Sequence, residues 1–405
     1  MKKKEMRVPY ALTVYGKEEI KAVNRVLKDP TKIVTGPSVR EFEKKISHIF
    51  GKKHGIMVNS GSSANLLAVD ILDIPKGSEV ITPILTFATT VAPIVQKGLI
   101  PVFVDVTPAT YQIDIDQIEK LITKKTKALM IPSLMGNLSD MVRLRKIADK
   151  YKLWFIEDSC DTLGGKFNAK PSGFYSDITT TSFYASHIIT AAGSGGMICL
   201  NDANLARKAL IKANWGREST LFGEYEKSEE IKKRFTGKID GKIYDAKFIF
   251  SEIGYNFQSA EINGAFGLEQ LKRFAEFTKL RRRVFDTLHK FFNNYKNFFI
   301  LSEINKGVVT TWLNFPLTIR EGAPFTRNEI TAYLESRNIQ TRPIFTGNIL
   351  KQPGFKNIDS KKVDGGYPVA DYIMHNGFLI GCHQGLTALH IKYLTDTFTE
   401  FLENR

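Results

Sequence analysis

Three short stretches of this chain carry side chains that could do chemistry together. The first, Asn59-Ser60-Gly61-Ser62-Ser63-Ala64-Asn65, lies between an apolar run and a helix-forming run. Glycine lets backbone amides approach an anion, serine adds a hydroxyl, and a helix start offers unpaired N–H groups, so the turn suits a phosphate. Serine at such a place is also an ordinary helix cap. The second stretch, Glu157-Asp158-Ser159-Cys160-Asp161, follows the apolar run Leu153-Trp154-Phe155-Ile156. Asp158, at the carboxyl end of a strand, suits a protonated ring nitrogen, or it caps the next segment. The third is Thr181-Ser182-Phe183-Tyr184-Ala185-Ser186-His187-Ile188-Ile189-Thr190. An imidazole with an unperturbed pKa of roughly 6.5 carries protons near neutral pH, although a lone histidine is more commonly structural. Gly193-Ser194-Gly195-Gly196 comes next, allowing close packing beneath a ligand or a turn into a strand over Met197–Leu200. The order and company of these stretches argue for a site; no one of them does so alone.

Elements that could position them alternate along the first half. Strands are expected at 55–59, 79–82, 102–105, 128–131 and 153–156, with helices at 63–72 and 141–151. Such alternation predicts a mostly parallel sheet covered by helices, with chemistry where strands end and loops begin. From Ser259 to Lys290 the spacing of Ala265, Leu268, Leu271 and Phe274 predicts helix. Beyond it, strands are expected at 308–318 and 377–381 and a helix at 327–337. The fold class is thus α/β, with a large domain over 1–275 and a smaller α+β domain over 276–405. The polar segment 220–247 reads as an insertion or long loop, and no internal repeat is evident.

At 405 residues the chain has ample material for two cores. Lys2-Lys3-Lys4 is followed by no apolar stretch before Thr13 and Gly16, so no export signal is read. No segment approaches the roughly 20 apolar residues of a membrane span. Cys160, Cys199 and Cys382 are dispersed and form no CxxC, which argues against disulfides and zinc and for a cytoplasmic setting. The net charge of +15 suits an anionic partner. The basic residues are spread along the chain without a nucleic-acid motif, so a nucleotide-linked small molecule is expected in preference to nucleic acid.

Taken in order, these stretches resemble the sugar aminotransferase family of fold-type I pyridoxal phosphate (PLP) enzymes, over nearly the whole chain. Where that family carries a lysine that tethers the cofactor, this chain has His187, and where glutamine is usual it has Asp161. Both departures, with Thr341-Arg342-Pro343 and Thr346-Gly347-Asn348, resemble the 3-dehydratase branch that makes 3,6-dideoxysugars. The resemblance implies that Gly61, Ser62 and Ser182 bind the cofactor phosphate, Phe87 stacks on its ring, Asp158 meets its nitrogen and Asp161 lies near its hydroxyl. It implies that Asn256 reaches the phosphate across a homodimer interface, giving shared active sites, and that Arg342, Asn348 and His383 line the substrate side.

The resemblance further implies an unanchored amine cofactor (PMP), with His187 as general base. The reaction would be loss of the C3 hydroxyl from a nucleotide-linked 4-keto-6-deoxyhexose, with PMP restored from glutamate, in dideoxysugar and lipopolysaccharide O-antigen synthesis. After Trp215-Gly216-Arg217 the chain reads Glu218-Ser219-Thr220, where the CDP-hexulose type clusters cysteines, so no iron–sulfur cluster or other metal is expected and the GDP type is the nearer. Two other readings stand beside this one. One is an aminotransferase using another lysine, Lys166 or Lys170 being nearest; the other is a catalytically silent protein that binds a sugar nucleotide.

Overall fold

The computed structural model describes residues 6–222 and 230–403. Seven strands form the large sheet: β1 (His54–Val58), β2 (Glu79–Pro83), β3 (Ile100–Val104), β4 (Thr126–Pro132), β5 (Trp154–Asp158), β6 (Ile178–Ser182) and β7 (Gly196–Leu200). Their spatial order is β1-β7-β6-β5-β4-β2-β3. Only β7 runs against its neighbours; β6, β5, β4, β2 and β3 are parallel. Both faces are covered, which is why these strands read as almost unbroken apolar runs. Along β4, Ala128 and Met130 pack into the core on one face while Leu129 and Ile131 pack into the core on the other. The helix Gly61–Asp70 lies on the first of these faces and Met141–Tyr151 on the second.

A second sheet of four antiparallel strands follows: β8 (Phe299–Leu301), β9 (Asn314–Ile319), β10 (Thr341–Pro343) and β11 (Gly377–Gly381), in the order β8-β9-β11-β10. Its core is aromatic, with Phe292, Phe299, Phe315 and Phe378 buried together. Phe285 stacks on Trp312 with ring centres 4.1 Å apart. Residue 275 lies in the first turn of the helix Phe274–Phe292. Val8, from the N-terminal segment, packs into this later core.

Three expected elements differ in detail. The helical stretch 259–290 is two helices, Glu261–Lys272 and Phe274–Phe292, parted at Arg273, whose φ of −95° and ψ of 0° end one and begin the other. The expected strand 308–318 is interrupted: Val308–Val309 pairs with Lys166–Phe167, and β9 starts only at Asn314. Between them Trp312 takes a left-handed φ of 43°, and the N–H of Leu313 donates to the carbonyl of Met135, so the chain crosses from one sheet to the other. In the stretch 220–247, Gly237–Ile239 and Lys242–Tyr244 form a hairpin, while 223–229 lie outside the described residues. Among the described residues no helix is long and apolar enough to cross a membrane.

The carboxyl ends of β1, β2, β4, β5 and β6 share one edge of the sheet, as parallel pairing requires. There β7 begins against the turn after β1. A Cβ on Gly196 would lie 2.2 Å from the carbonyl oxygen of Ser60 and 2.5 Å from the N of Gly61. Backbone cannot yield as a flexible side chain does. Gly196→Ala is therefore expected to destabilise the protein by about 1–3 kcal/mol. Urea unfolding checks this, and a wild-type midpoint would show that the turn is not held against β7.

Candidate active site

A cavity of about 630 Å³ opens at that edge, lined by Ser60–Ser62 after β1, Phe87 after β2, Ser133 and Leu134 after β4, Asp158 at the end of β5 and Ser182 at the end of β6. The second sheet closes it with Arg342 and Leu379, together with Leu313 just before β9. Ser60 caps the helix Gly61–Asp70, its Oγ accepting from the N–H of Ser63 at 3.1 Å. The amides of Gly61 and Ser62 lie in the first turn, where no intrahelical acceptor exists, and both residues face the cavity. Gly61 has to be glycine: a Cβ there would meet Ser182 Cβ at 2.7 Å and Cys160 Sγ at 2.8 Å. That close approach sets Ser182 beside Gly61, and Ser62 and Ser182 both line the cavity, an arrangement that suits an anion.

Asp158 is held by three donors. Its Oδ2 accepts from Asn65 Nδ2 and Thr90 Oγ1, each at 2.8 Å, and its Oδ1 from the N–H of Cys160 at 3.2 Å. Asn65 is itself fixed, accepting from Thr180 Oγ1 at 2.6 Å. The carboxylate's orientation is therefore set by the helix after β1, the helix after β2 and β6 together. Glu157, one residue earlier, is on the opposite face of the strand and bonds Ser159 and Thr179. Only Asp158 of the pair reaches the cavity.

His187 sits on the turn after β6, which is closed by Thr190 Oγ1 donating to the Phe183 carbonyl at 2.9 Å and tied to the N-terminal arm by Thr13 Oγ1 donating to Ala185. Its Nδ1 is buried without a hydrogen-bond partner, 3.8 Å from Asp161 Oδ1. Burial, with the nearby Arg281 charge adding, pushes the imidazole down to about 4. Burial, reinforced by Asp158, pushes the Asp161 carboxyl up to about 7, although its Oδ2 accepts from the Met135 N–H at 2.9 Å. At neutral pH the ring is thus uncharged and able to accept a proton. Among the described residues no lysine lines the cavity. Lys166 and Lys170 belong to a short exposed hairpin.

Residues 14–399 match the DegT/DnrJ/EryC1/StrS aminotransferase family. The chain belongs to that family. It is 38% identical to the lipopolysaccharide biosynthesis protein RfbH of Salmonella typhimurium over 97% of this chain and 91% of that one. It is 35% identical to dTDP-4-dehydro-2,6-dideoxy-D-glucose 3-dehydratase of Saccharopolyspora spinosa, over 92% of this chain and 81% of the other. Solved structures of GDP-4-keto-6-deoxymannose 3-dehydratase superpose closely. The Escherichia coli enzyme with bound hydrated PLP gives a TM-score of 0.86 at 30% identity, covering 97% and 99% of the two chains. One with a trapped PLP–glutamate geminal diamine gives 0.85 at 29%, covering 96% and 99%. The fold is accordingly the PLP fold-type I architecture of this DegT/DnrJ/EryC1/StrS family.

The site's chemistry fits a pyridine ring bearing a phosphate, as a member of the DegT/DnrJ/EryC1/StrS family requires. The Gly61–Ser62–Ser182 cradle suits the phosphate, and Asp158 is a fixed carboxylate for a ring nitrogen. Phe87 is an exposed aromatic, edge-on to Phe345 at 6.2 Å, free to take a ring against its face. The unpaired His187 nitrogen has no use within the protein itself.

Of the other expected residues, Arg342 lines the cavity, 5.3 Å from the Tyr10 ring, and is the one permanently cationic side chain among the described lining residues. Asn348 and His383 are not among the lining residues, and neither is Asn256, whose expected role is at a second subunit's cavity. Asn348 caps the turn Ile349–Lys351, with Nδ2 donating to Asp371 Oδ1 at 2.7 Å. His383 is 1% exposed, its ring bonded to the Pro9 carbonyl at 3.0 Å and the Gly385 N–H at 3.2 Å. Asn256 is exposed, bridging to Asn214. Conversely, Tyr10 was not expected at the site. Its hydroxyl donates to Asn314 Oδ1 at 3.0 Å, and its N–H donates to Gln340, more than 300 residues away.

Asp161 gives a pH test. Its ordinary value is 3.8 and its folded value about 7. Between these the folded state holds the extra proton, so this site's contribution to stability falls as pH rises, levelling off above about 7. An amide has no such dependence. Asp161→Asn, which retains an acceptor for Met135, is therefore expected to gain about 2–3 kcal/mol relative to wild type between pH 5 and 8. The depressed His187 works in the opposite sense, losing stability as pH falls from 6.5 towards 4, but it is present in both proteins. Urea unfolding of cofactor-free protein checks the difference; a pH-independent offset would contradict it.

Proposed function

We propose that this protein removes the C3 hydroxyl of a nucleotide-linked 4-keto-6-deoxyhexose, using PMP and giving a 4-keto-3,6-dideoxyhexose. The observation that carries the reading is His187: a neutral, unpaired imidazole in a family cavity whose described lining has no lysine. The 3-dehydratase names of the dTDP-sugar relative and of the GDP-sugar structural neighbour support it. Those two relatives differ in nucleotide, so the nucleotide is left to experiment. Glutamate as amino donor is supported by the geminal diamine of the neighbour. The RfbH likeness supports a product destined for lipopolysaccharide.

When bound, PMP would supply an amine for the 4-keto carbon, a ring that takes up electrons released beside it, and the two electrons that reduce C3; it would end as PLP, its nitrogen leaving as ammonia on hydrolysis, which is why glutamate is needed to restore it. In this reading Gly61, Ser62 and Ser182 hold the phosphate, Asp158 holds the ring nitrogen protonated, and Phe87 covers the ring. Asn256, exposed on its own chain, reaches the phosphate of a second subunit in a cytoplasmic homodimer. Arg342 faces the anionic nucleotide side of the substrate. His187 accepts the proton from the methylene carbon beside the ring, and the resulting imidazolium returns it to the departing C3 hydroxyl as water. Asp161, protonated up to about neutral pH, is a hydrogen-bond donor on the same side. General acid–base help of this kind contributes about 10²–10⁴ in rate. In this reading the reaction needs neither iron nor a reductase.

Purified protein incubated in air with PLP, glutamate and GDP-, CDP-, dTDP- or UDP-linked 4-keto-6-deoxyhexoses is expected to yield one product lacking the C3 oxygen, read by mass spectrometry. His187→Asn is expected to bind PMP and to lose about 10²-fold or more of that activity. A product bearing a C4 amine with C3 oxygen retained would establish an aminotransferase instead. Turnover that stalls until a reductase and electron donor are added would overturn the iron-free reaction.

A further inference from the structure

Arg281, on the helix Phe274–Phe292, is among the largest fully buried side chains of the protein. Its Nε donates to Gln384 Oε1 at 2.7 Å, and its Nη1 donates to the carbonyls of Trp312, Leu313 and Cys382, each at 3.1 Å. Its Nη2 donates to the carbonyl of His187 itself at 3.3 Å. All five acceptors are neutral. Gln384 passes the contact on, its Nε2 donating to the Ile188 carbonyl at 3.3 Å. One guanidinium fork and its amide partner thus clasp the His187–Ile188 turn to the segment before β9 and the segment after β11.

Neutral donors could satisfy carbonyls. A buried cation with no carboxylate against it does something more, because it places a positive potential on everything it touches, and that potential is little screened in the interior. We propose that Arg281 is a positioning residue for His187, clasping the turn that carries the imidazole and, through its uncompensated charge, holding the ring in the proton-accepting form.

The groups facing the imidazole bear this out. Asp161, from the loop after β5, is the only acid within ion-pair distance of the ring among the described residues, at 3.8 Å. Its carboxyl, pushed up to about 7 chiefly by burial, is mostly protonated below neutral pH and leaves the Arg281 charge unopposed there. Tyr184 meets the ring edge-on at 6.3 Å. Tyr10, from the N-terminal arm, has its hydroxyl committed to Asn314 and its ionisation pushed further up by burial and then by Asp161. Burial is the larger cause of the depressed His187 and Arg281 the next. Arg281 itself is pushed down by burial, to about 10, and stays charged at neutral pH.

This inference rests on His187 being the base, and its test reads the ring directly so that the two can fail separately. Protein labelled with ¹³C at the imidazole carbons, with the His187 signal assigned by its loss in His187→Asn, is titrated by NMR. Wild-type His187 is expected to stay neutral to below about pH 5.5, against an unperturbed value of roughly 6.5. Arg281→Lys keeps the cation and is expected to leave that titration within about half a unit. Arg281→Gln is expected to raise it by about one unit or more. A wild-type His187 titrating near 6.5 overturns the proposal whatever the variants do. So does an unchanged titration in folded Arg281→Gln, or a full-unit rise in Arg281→Lys should the glutamine variant fail to fold. A depressed His187 in a protein that dehydrates nothing would sustain the role of Arg281 and refute the dehydratase reading; an active dehydratase with an ordinary His187 would do the reverse.

Discussion

A cavity-lining imidazole whose Nδ1 is buried and unpaired is the constraint on which this site depends. Burial disfavours the charged ring, and a buried polar nitrogen without a partner costs about 1–3 kcal/mol. The protein accepts that cost at His187 beside a cavity wide enough for a cofactor and substrate. Asp161 stands close enough to respond to the ring but too far, at 3.8 Å, to satisfy it. The result is an uncharged imidazole with an open nitrogen facing the cavity.

The rest of the architecture holds that arrangement still. The large sheet brings five loops to one edge, and Gly61 packs closely on Ser182 and Gly196 on the Ser60 carbonyl, which holds the turn after β1 against the sheet. Asp158 is locked by residues from three different elements. The far wall belongs to the second sheet, reached through the left-handed turn at Trp312, and Arg281 ties that wall to the turn bearing His187. Catalytic geometry of this kind depends on groups whose own orientation is fixed by a supporting layer.

Much of this was legible because it is local. Strand-to-helix alternation marks the large sheet, and Gly61, Ser62, Asp158, Asp161, Ser182 and His187 each sit at or shortly after a strand end, where parallel topology must gather them. What could not be read was long-range or secondary. Tyr10 reaches the cavity only because the N-terminal segment pairs with residues near 339, and nothing around Tyr10 encodes that partner. Asn65 and Thr90 act by holding Asp158, a role that looks like ordinary helix composition. Arg281 lies in the basic run Arg281-Arg282-Arg283, which reads as a solvated face, yet it alone of the three turns fully inward. Asn348 and His383, expected on the substrate side, are instead engaged locally: a short polar residue before a turn serves as its cap, and a histidine is bonded to backbone groups.

The central claim is that His187 is a base above an untethered cofactor, and reduction of the PLP form with borohydride tests it most directly. A tethering lysine would be converted to a stable secondary amine, adding the pyridoxyl group to the protein's mass. The account predicts an unchanged protein mass after denaturation, with all cofactor recovered free. A pyridoxyl-lysine found by peptide mapping at any position of the chain would contradict it.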